Sequence, residues 1–217
     1  VQQRLALFDL DGTLVDRQDA YRNTVPALCR AHGFDAPVEH WLLAHLADRA
    51  TAADFARLCE AFNLAEPAIE LWQEYVDRMA GAVTCSTAVL EGLAELRAAA
   101  WTIGIATNGA SDIQRAKLAA TGISDLVDGI AVSGDLEIRK PDRRLFELAA
   151  TRCGLTLNEG GWMIGDNPAA DIGGGHQAGL HTIWLRGRPW PDTLPAAHHT
   201  VDDVTDAINI LLTTIPE

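Results

Sequence analysis

Lysine is almost missing from this chain. Of 17 basic residues only Lys117 and Lys140 are lysines, and the rest are arginines. Basic charge as a whole is scarce, since 30 acidic residues leave a formal net charge of −13. That argues against nucleic acid or an anionic membrane as partner, because both reward basic surfaces. It leaves room for a small phosphorylated molecule, since a local cation and backbone amides can override the global sign. Cysteine is limited to Cys29, Cys59, Cys85 and Cys153, with no C-x-x-C pair. Such spacing offers no zinc site and predicts reduced, mostly buried thiols in a cytoplasmic protein. No apolar run approaches the length needed to span a bilayer. The first apolar segment begins within five residues of the N-terminus, so no targeting segment is expected. The 217 residues suffice for one α/β core with a small insertion.

What the chain has is a set of five short, nearly continuous apolar runs. They are Arg4 to Leu10, Trp101 to Ala106, Gly129 to Ser133, Trp162 to Ile164, and Thr182 to Leu185. Runs of this kind read as buried parallel strands. Helical patterns alternate with the later ones. Val89, Leu93, Leu96 and Ala100 mark one helix. Ser111 with Gln114 reads as a capping box, and Gly122 as the stop of a second. Pro141 is expected just inside the start of a third, which carries Leu145, Phe146, Leu148 and Ala149 and ends at Gly154. Val204, Ile208 and Leu211 give a last stripe. The alternation predicts a doubly wound, Rossmann-like α/β core with a parallel sheet. Residues 16–85 break it, with helical patterns around 19–33, 38–47, 51–62 and 66–80. They read as an all-helical domain inserted into a core made of residues 1–15 and 86–217. Pro26 is expected to kink or split the first of these helices.

The run Asp9-Leu10-Asp11-Gly12-Thr13 follows the first strand directly. Side chains at i and i+2 of an extended segment point the same way, so Asp9 and Asp11 can act on one substrate atom. Ligands of an open parallel sheet bind just outside the carboxyl ends of its strands. Two acids placed there repel each other, and a cation is the usual remedy. The spacing does not fit a calcium EF-hand loop, where glycine comes sixth; Gly12 is fourth counted from Asp9. The second strand ends in Thr107-Asn108-Gly109, and the third leads to Arg139-Lys140-Pro141. The fourth ends in Gly165-Asp166-Asn167, with Asp171 five residues after Asp166. Together these ends supply what is needed to hold a phosphate and Mg²⁺ while a carboxylate attacks phosphorus.

In this order the four motifs resemble those of the haloacid dehalogenase superfamily, and the helical insertion resembles that family's cap. The resemblance covers the whole chain. It implies that Asp9 is the nucleophile of an aspartyl-phosphate intermediate. It makes Asp11 the acid for the leaving oxygen and then the base for water. Thr107 and the amide of Asn108 would bind phosphate oxygens, and Lys140 would balance charge beside Asp9. Asp9, Asp166 and the carbonyl of Asp11 would ligate Mg²⁺, with Asp171 a further ligand or a support behind the ligands. Lys140, one of two lysines, fits a site that needs a compact point charge rather than a planar fork. Lys117 reads as a solvated helix residue.

Other features weigh less. Gly173-Gly174-Gly175-His176 lacks the ending of a P-loop and reads as close packing against the sheet. His198 and His199 read as solvated loop residues. Trp41, Trp72, Trp101, Trp162 and Trp184 read as core. Arg17, Tyr21 and Arg49 lie where family caps place substrate-selecting residues, and Arg49, in the Asp48-Arg49 turn, is the best single candidate. The leading expectation is a Mg²⁺-dependent phosphatase acting on a small phosphomonoester. A phosphosugar mutase and a non-catalytic ligand-binding relative are the alternatives. A true dehalogenase has no need for an acid at position 11 or for Asp166.

Overall fold

The computed structural model describes residues 4–214. Its sheet is built from β1 (Leu5–Phe8), β2 (Thr102–Thr107), β3 (Gly129–Val132), β4 (Trp162–Gly165), β5 (His181–Leu185) and β6 (His199–Val201). The strand order is β3-β2-β1-β4-β5-β6, and every pairing is parallel. The helices are α1 (Arg17–His32), α2 (Ala36–His45), α3 (Ala52–Phe62), α4 (Ala68–Ala82), α5 (Thr87–Ala98), α6 (Ser111–Ala120), α7 (Arg143–Arg152), α8 (Gly174–Gln177) and α9 (Val204–Thr213).

All four residues of β1 are buried. Its side chains alternate between the two sheet faces, as the strand period requires. Ala6 and Phe8 join Ile103, Ile105, Ile164 and Ile183 in one apolar cluster, while Leu5 and Leu7 join Ala106, Met163 and Phe146 in another. Strand order reverses at β1, with β2 on one side and β4 on the other. A crevice for ligands opens at such a switch point, beyond the carboxyl ends of the strands.

Helices α1 to α4 follow one another between β1 and α5. The cluster that includes Phe8 and Leu10 runs on without a break into Val25, Leu28, Phe55, Trp72 and Tyr75. Trp72 of α4 donates its indole N–H to Asp112 Oδ2 of α6 at 2.6 Å. Among the described residues no helix is long and apolar enough to cross a membrane.

Several local expectations change. β6 is a sixth strand, too short for a periodic signal; His199 opens it, and His198 Nδ1 accepts the Thr182 N–H at 3.1 Å. Both histidines are exposed, but they belong to the sheet edge rather than to a free loop. Pro26 does not split α1, whose Tyr21, Thr24, Val25, Leu28 and Cys29 are buried. That burial offsets the hydrogen bond a mid-helix proline removes. Pro141 precedes α7 behind a cis Lys140–Pro141 bond, and Asp142 caps the helix instead. Ala110, not Ser111, is the N-cap of α6, so the capping-box reading fails there. Of the five tryptophans read as core only Trp72 and Trp101 are buried, and of the cysteines only Cys29 is. Gly174 and Gly175 do pack tightly: an added Cβ would lie 2.9 Å from Phe146 and 2.9 Å from Thr182 respectively.

Candidate active site

The site is assembled from the loops after β1, β2 and β4 and from the segment before α7. After β1 the chain turns at once, with Leu14 and Val15 both donating to the Leu10 carbonyl. Gly12 makes this turn at φ +79°, and a Cβ there would lie 2.9 Å from Asp166 Oδ2. Only glycine combines that backbone with so close an approach. After β4, Asn167 caps a π-helical turn, Pro168–Gly173, by accepting from the Ala169 and Ala170 N–H groups. Its own N–H donates to Asp171 Oδ2 at 2.9 Å. This turn folds Asp171 back against the strand end, so tightly that a Cβ on Gly165 would be 2.2 Å from Asp171.

One carboxylate oxygen from each of Asp9, Asp166 and Asp171 lies within 4.8 Å of the others. Lys140 is buried among them, its Nζ 2.8 Å from Asp9 Oδ1 and 2.7 Å from Asp171 Oδ1. The contact to Asp171 is an ion pair between two buried side chains. Burial pushes the Asp9 carboxyl up to about 6, against the pull of Lys140 and with the help of the Asp171 charge. Burial also raises Asp171, opposed by Lys140, and Asp166, opposed by Arg188. For Lys140, burial disfavours the charge, but Asp171 and Asp9 outweigh it and hold the ammonium above its ordinary value.

Three acids thus face two cations, Lys140 and Arg188. A further cation would relieve the surplus, and three hard oxygen donors suit Mg²⁺. The donor set therefore fits the metal. Asp11 contributes no carboxylate to this cluster. Its carboxylate turns the other way, to Lys117 and Gln114.

Thr107 is fully buried, its hydroxyl accepting from Gln114 Nε2 at 2.8 Å. Asn108 uses its side chain on the backbone of Lys140, accepting from the N–H at 2.9 Å and donating to the carbonyl at 3.2 Å. It fixes the segment that presents the ammonium. In the helical insertion, Arg17 donates to the carbonyls of Leu46 and Ala47, and Tyr21 to those of Leu42 and Leu43. Arg17 therefore braces the segment that leads to Asp48 and Arg49, and Tyr21 ties α1 to the end of α2. Arg49 lines a cavity of about 380 Å³ together with Asp9, Asp11, Arg139, Lys140 and Asp166.

Three site residues were missed or misread. Lys117 is buried, not solvated, and Gln114 beside it is no capping residue. The scarcity of lysine that drew attention to Lys140 applied equally to Lys117, and i, i+3 spacing on α6 puts Gln114 on the same face. Arg188 donates to Asp166 Oδ2 at 2.7 Å from the Pro-rich loop after β5, and nothing in its sequence context marks it.

The family model described as haloacid dehalogenase-like hydrolase matches residues 6–185. The chain belongs to this family. A phosphoserine phosphatase from Thermus thermophilus is 38% identical over 93 residues, which are 43% of this chain and 37% of that enzyme. The chain thus matches little more than a third of that relative's length. The pyrimidine 5'-nucleotidase PynA from Streptococcus pneumoniae is 28% identical over 196 residues, 83% of each chain. Among solved structures, a phosphatase of the same superfamily from Thermococcus onnurineus superposes with a TM-score of 0.72 at 23% identity. The superposition covers 96% of this chain and 98% of that one, and shows a shared fold.

Proposed function

We propose that this family member is a Mg²⁺-dependent phosphatase that hydrolyses a small phosphomonoester through an aspartyl-phosphate. The observation that carries the reading is the buried Asp9 carboxylate, held by Lys140 beside Asp166 and Asp171. The phosphatase and nucleotidase among the relatives support it. Asp9, Asp166 and the Asp11 carbonyl would hold Mg²⁺, with Asp171 as ligand or support. The bound ion would supply charge neutralisation and orientation of the phosphoryl oxygens.

The rest falls to the protein. An Asp9 oxygen forms a bond to phosphorus while the bond from phosphorus to the ester oxygen breaks. Asp11 gives a proton to that departing oxygen. Asp11 then takes a proton from water, the water oxygen bonds to phosphorus, and Asp9 leaves with its electron pair. Inorganic phosphate is released and both carboxylates return to their starting states. Lys140 keeps Asp9 oriented and offsets charge as the phosphoryl group arrives. Thr107 and the Asn108 amide bind phosphate oxygens.

These core groups grip only the phosphoryl group, so selection falls to the helical insertion, 16–85, acting as a cap that moves over the site. A closed cap would keep bulk water from the intermediate. Phosphate release across a panel of phosphorylated metabolites, with Mg²⁺ and with chelator, tests the activity and names the substrate. No release from any member would overturn the phosphatase reading. Arg49→Ala is expected to reorder kcat/KM across the same panel. An unchanged ranking removes Arg49 from the site.

A further inference from the structure

Asp11 is held by a closed set of hydrogen bonds that reaches it entirely from α6. The Lys117 Nζ lies 2.8 Å from Asp11 Oδ1, 2.9 Å from Asp11 Oδ2 and 2.8 Å from Gln114 Oε1. An ammonium has three donors, and all three are used. The Gln114 Nε2 has two, and it directs them to Asp11 Oδ2 at 3.1 Å and Thr107 Oγ1 at 2.8 Å. Lys117 and Gln114 are each only 1% exposed.

Such a placement is costly for a structural residue. A buried ammonium loses several kcal/mol of hydration, and here burial pulls Lys117 below its ordinary pKa despite Asp11. A leucine or methionine on that face of α6 would pack at far lower cost. Asp11 is not deeply buried either, with a side chain 20% exposed to the cavity. What the pair fixes is the direction of a carboxylate that would otherwise rotate about two torsions at the mouth of the site.

We infer that Lys117 and Gln114 are positioning residues that hold the Asp11 carboxylate in line with the leaving-group oxygen. The inference rests on the reading of Asp11 as proton donor and acceptor. Gln114 also links Asp11 on the β1 loop to Thr107 at the end of β2. Because the Thr107 hydroxyl accepts from Gln114, its own O–H remains free to donate. One glutamine thus ties the proton-transfer group on the β1 loop to the hydroxyl at the end of β2, through one helix. Networks of this kind are stiff because each bond fixes the orientation of the next.

The test uses kcat/KM for two esters that differ in their need for a proton, p-nitrophenyl phosphate and glycerol 2-phosphate. General acid catalysis contributes ~10²–10⁴-fold. Lys117→Met should lower kcat/KM for the alkyl ester by about 10²-fold and for the aryl ester far less. Gln114→Met, which keeps the ion pair, should lower kcat/KM for the alkyl ester by a smaller factor than Lys117→Met does, and for the aryl ester less. It serves as the test if Lys117→Met does not fold. In an Asp11→Asn background, adding Lys117→Met should change kcat/KM by less than about 3-fold, because residues acting as a unit are non-additive. Equal losses on the two esters, or a full additional loss in the Asp11→Asn background, would assign Lys117 a general structural role and overturn the inference. Crystal structures of both single variants decide the matter independently of turnover. An Asp11 carboxylate displaced or spread over several rotamers upholds it, and one that superposes on the wild type overturns it. If the wild type hydrolyses neither ester, the phosphatase reading is judged separately on the metabolite panel, and the structures still judge the positioning.

Discussion

Asp9→Asn is expected to abolish phosphate release while leaving the protein folded. Loss of a nucleophile that works as part of a unit costs on the order of 10⁶-fold in kcat, and little residual turnover should remain. The cause is chemical, since a carboxamide does not attack phosphorus. The fold should tolerate the change because the amide has nearly the same shape. One of three crowded acids would lose its charge, while Lys140 would keep Asp171 at 2.7 Å. Steady-state phosphate release together with a thermal melt checks both halves. Near-wild-type turnover in a folded variant would contradict the assignment of Asp9.

Removal of divalent cations is expected to reduce activity to background, and added Mg²⁺ to restore it. The same addition should raise the melting temperature. Burial raises Asp9, Asp166 and Asp171 alike, so their ionised forms are disfavoured as the site stands. A cation among them favours the ionised forms and binds the native state alone. Saturation at about 100 times the dissociation constant contributes roughly 2.7 kcal/mol of stability. Arg188 pairs with Asp166 across an exposed edge and should yield to the stronger charge. Thermal melts with and without Mg²⁺, on wild type and Asp166→Asn, separate binding from catalysis. A chelator-treated enzyme with full activity, or a Mg²⁺ response undiminished in Asp166→Asn, would contradict the metal assignment.

Much of this was legible in the sequence because the physics behind it is local. Continuous apolar runs marked five strands, and the position of Asp9, Asp11 and Asp166 at strand ends followed from them. The order of the four motifs carries the resemblance to the family to which the chain belongs. What stayed hidden depends on contacts between distant segments. Lys117 lies 106 residues from Asp11, and only the packing of α6 beside the β1 loop turns a polar helix residue into a buried partner. Arg188 reaches Asp166 across 22 residues from a loop without regular structure. The edge strand β6 has three residues, two of them exposed, and carries no alternation to detect. Local signals also misled at Ser111 and Gln114, where a capping pattern matched but the side chains turn elsewhere. Ser111 pairs with Asp135 and Gln114 turns inward.

The central claim is that the phosphoryl group passes through Asp9. Rapid acid quench during turnover of p-nitrophenyl phosphate with Mg²⁺, followed by mass analysis of the peptide that carries Asp9, tests it most directly. The account predicts one added phosphoryl group on Asp9 in the wild type and none in Asp9→Asn. Continuous phosphate release with that peptide unmodified at every quench time, or with the phosphoryl group on another residue, would contradict it.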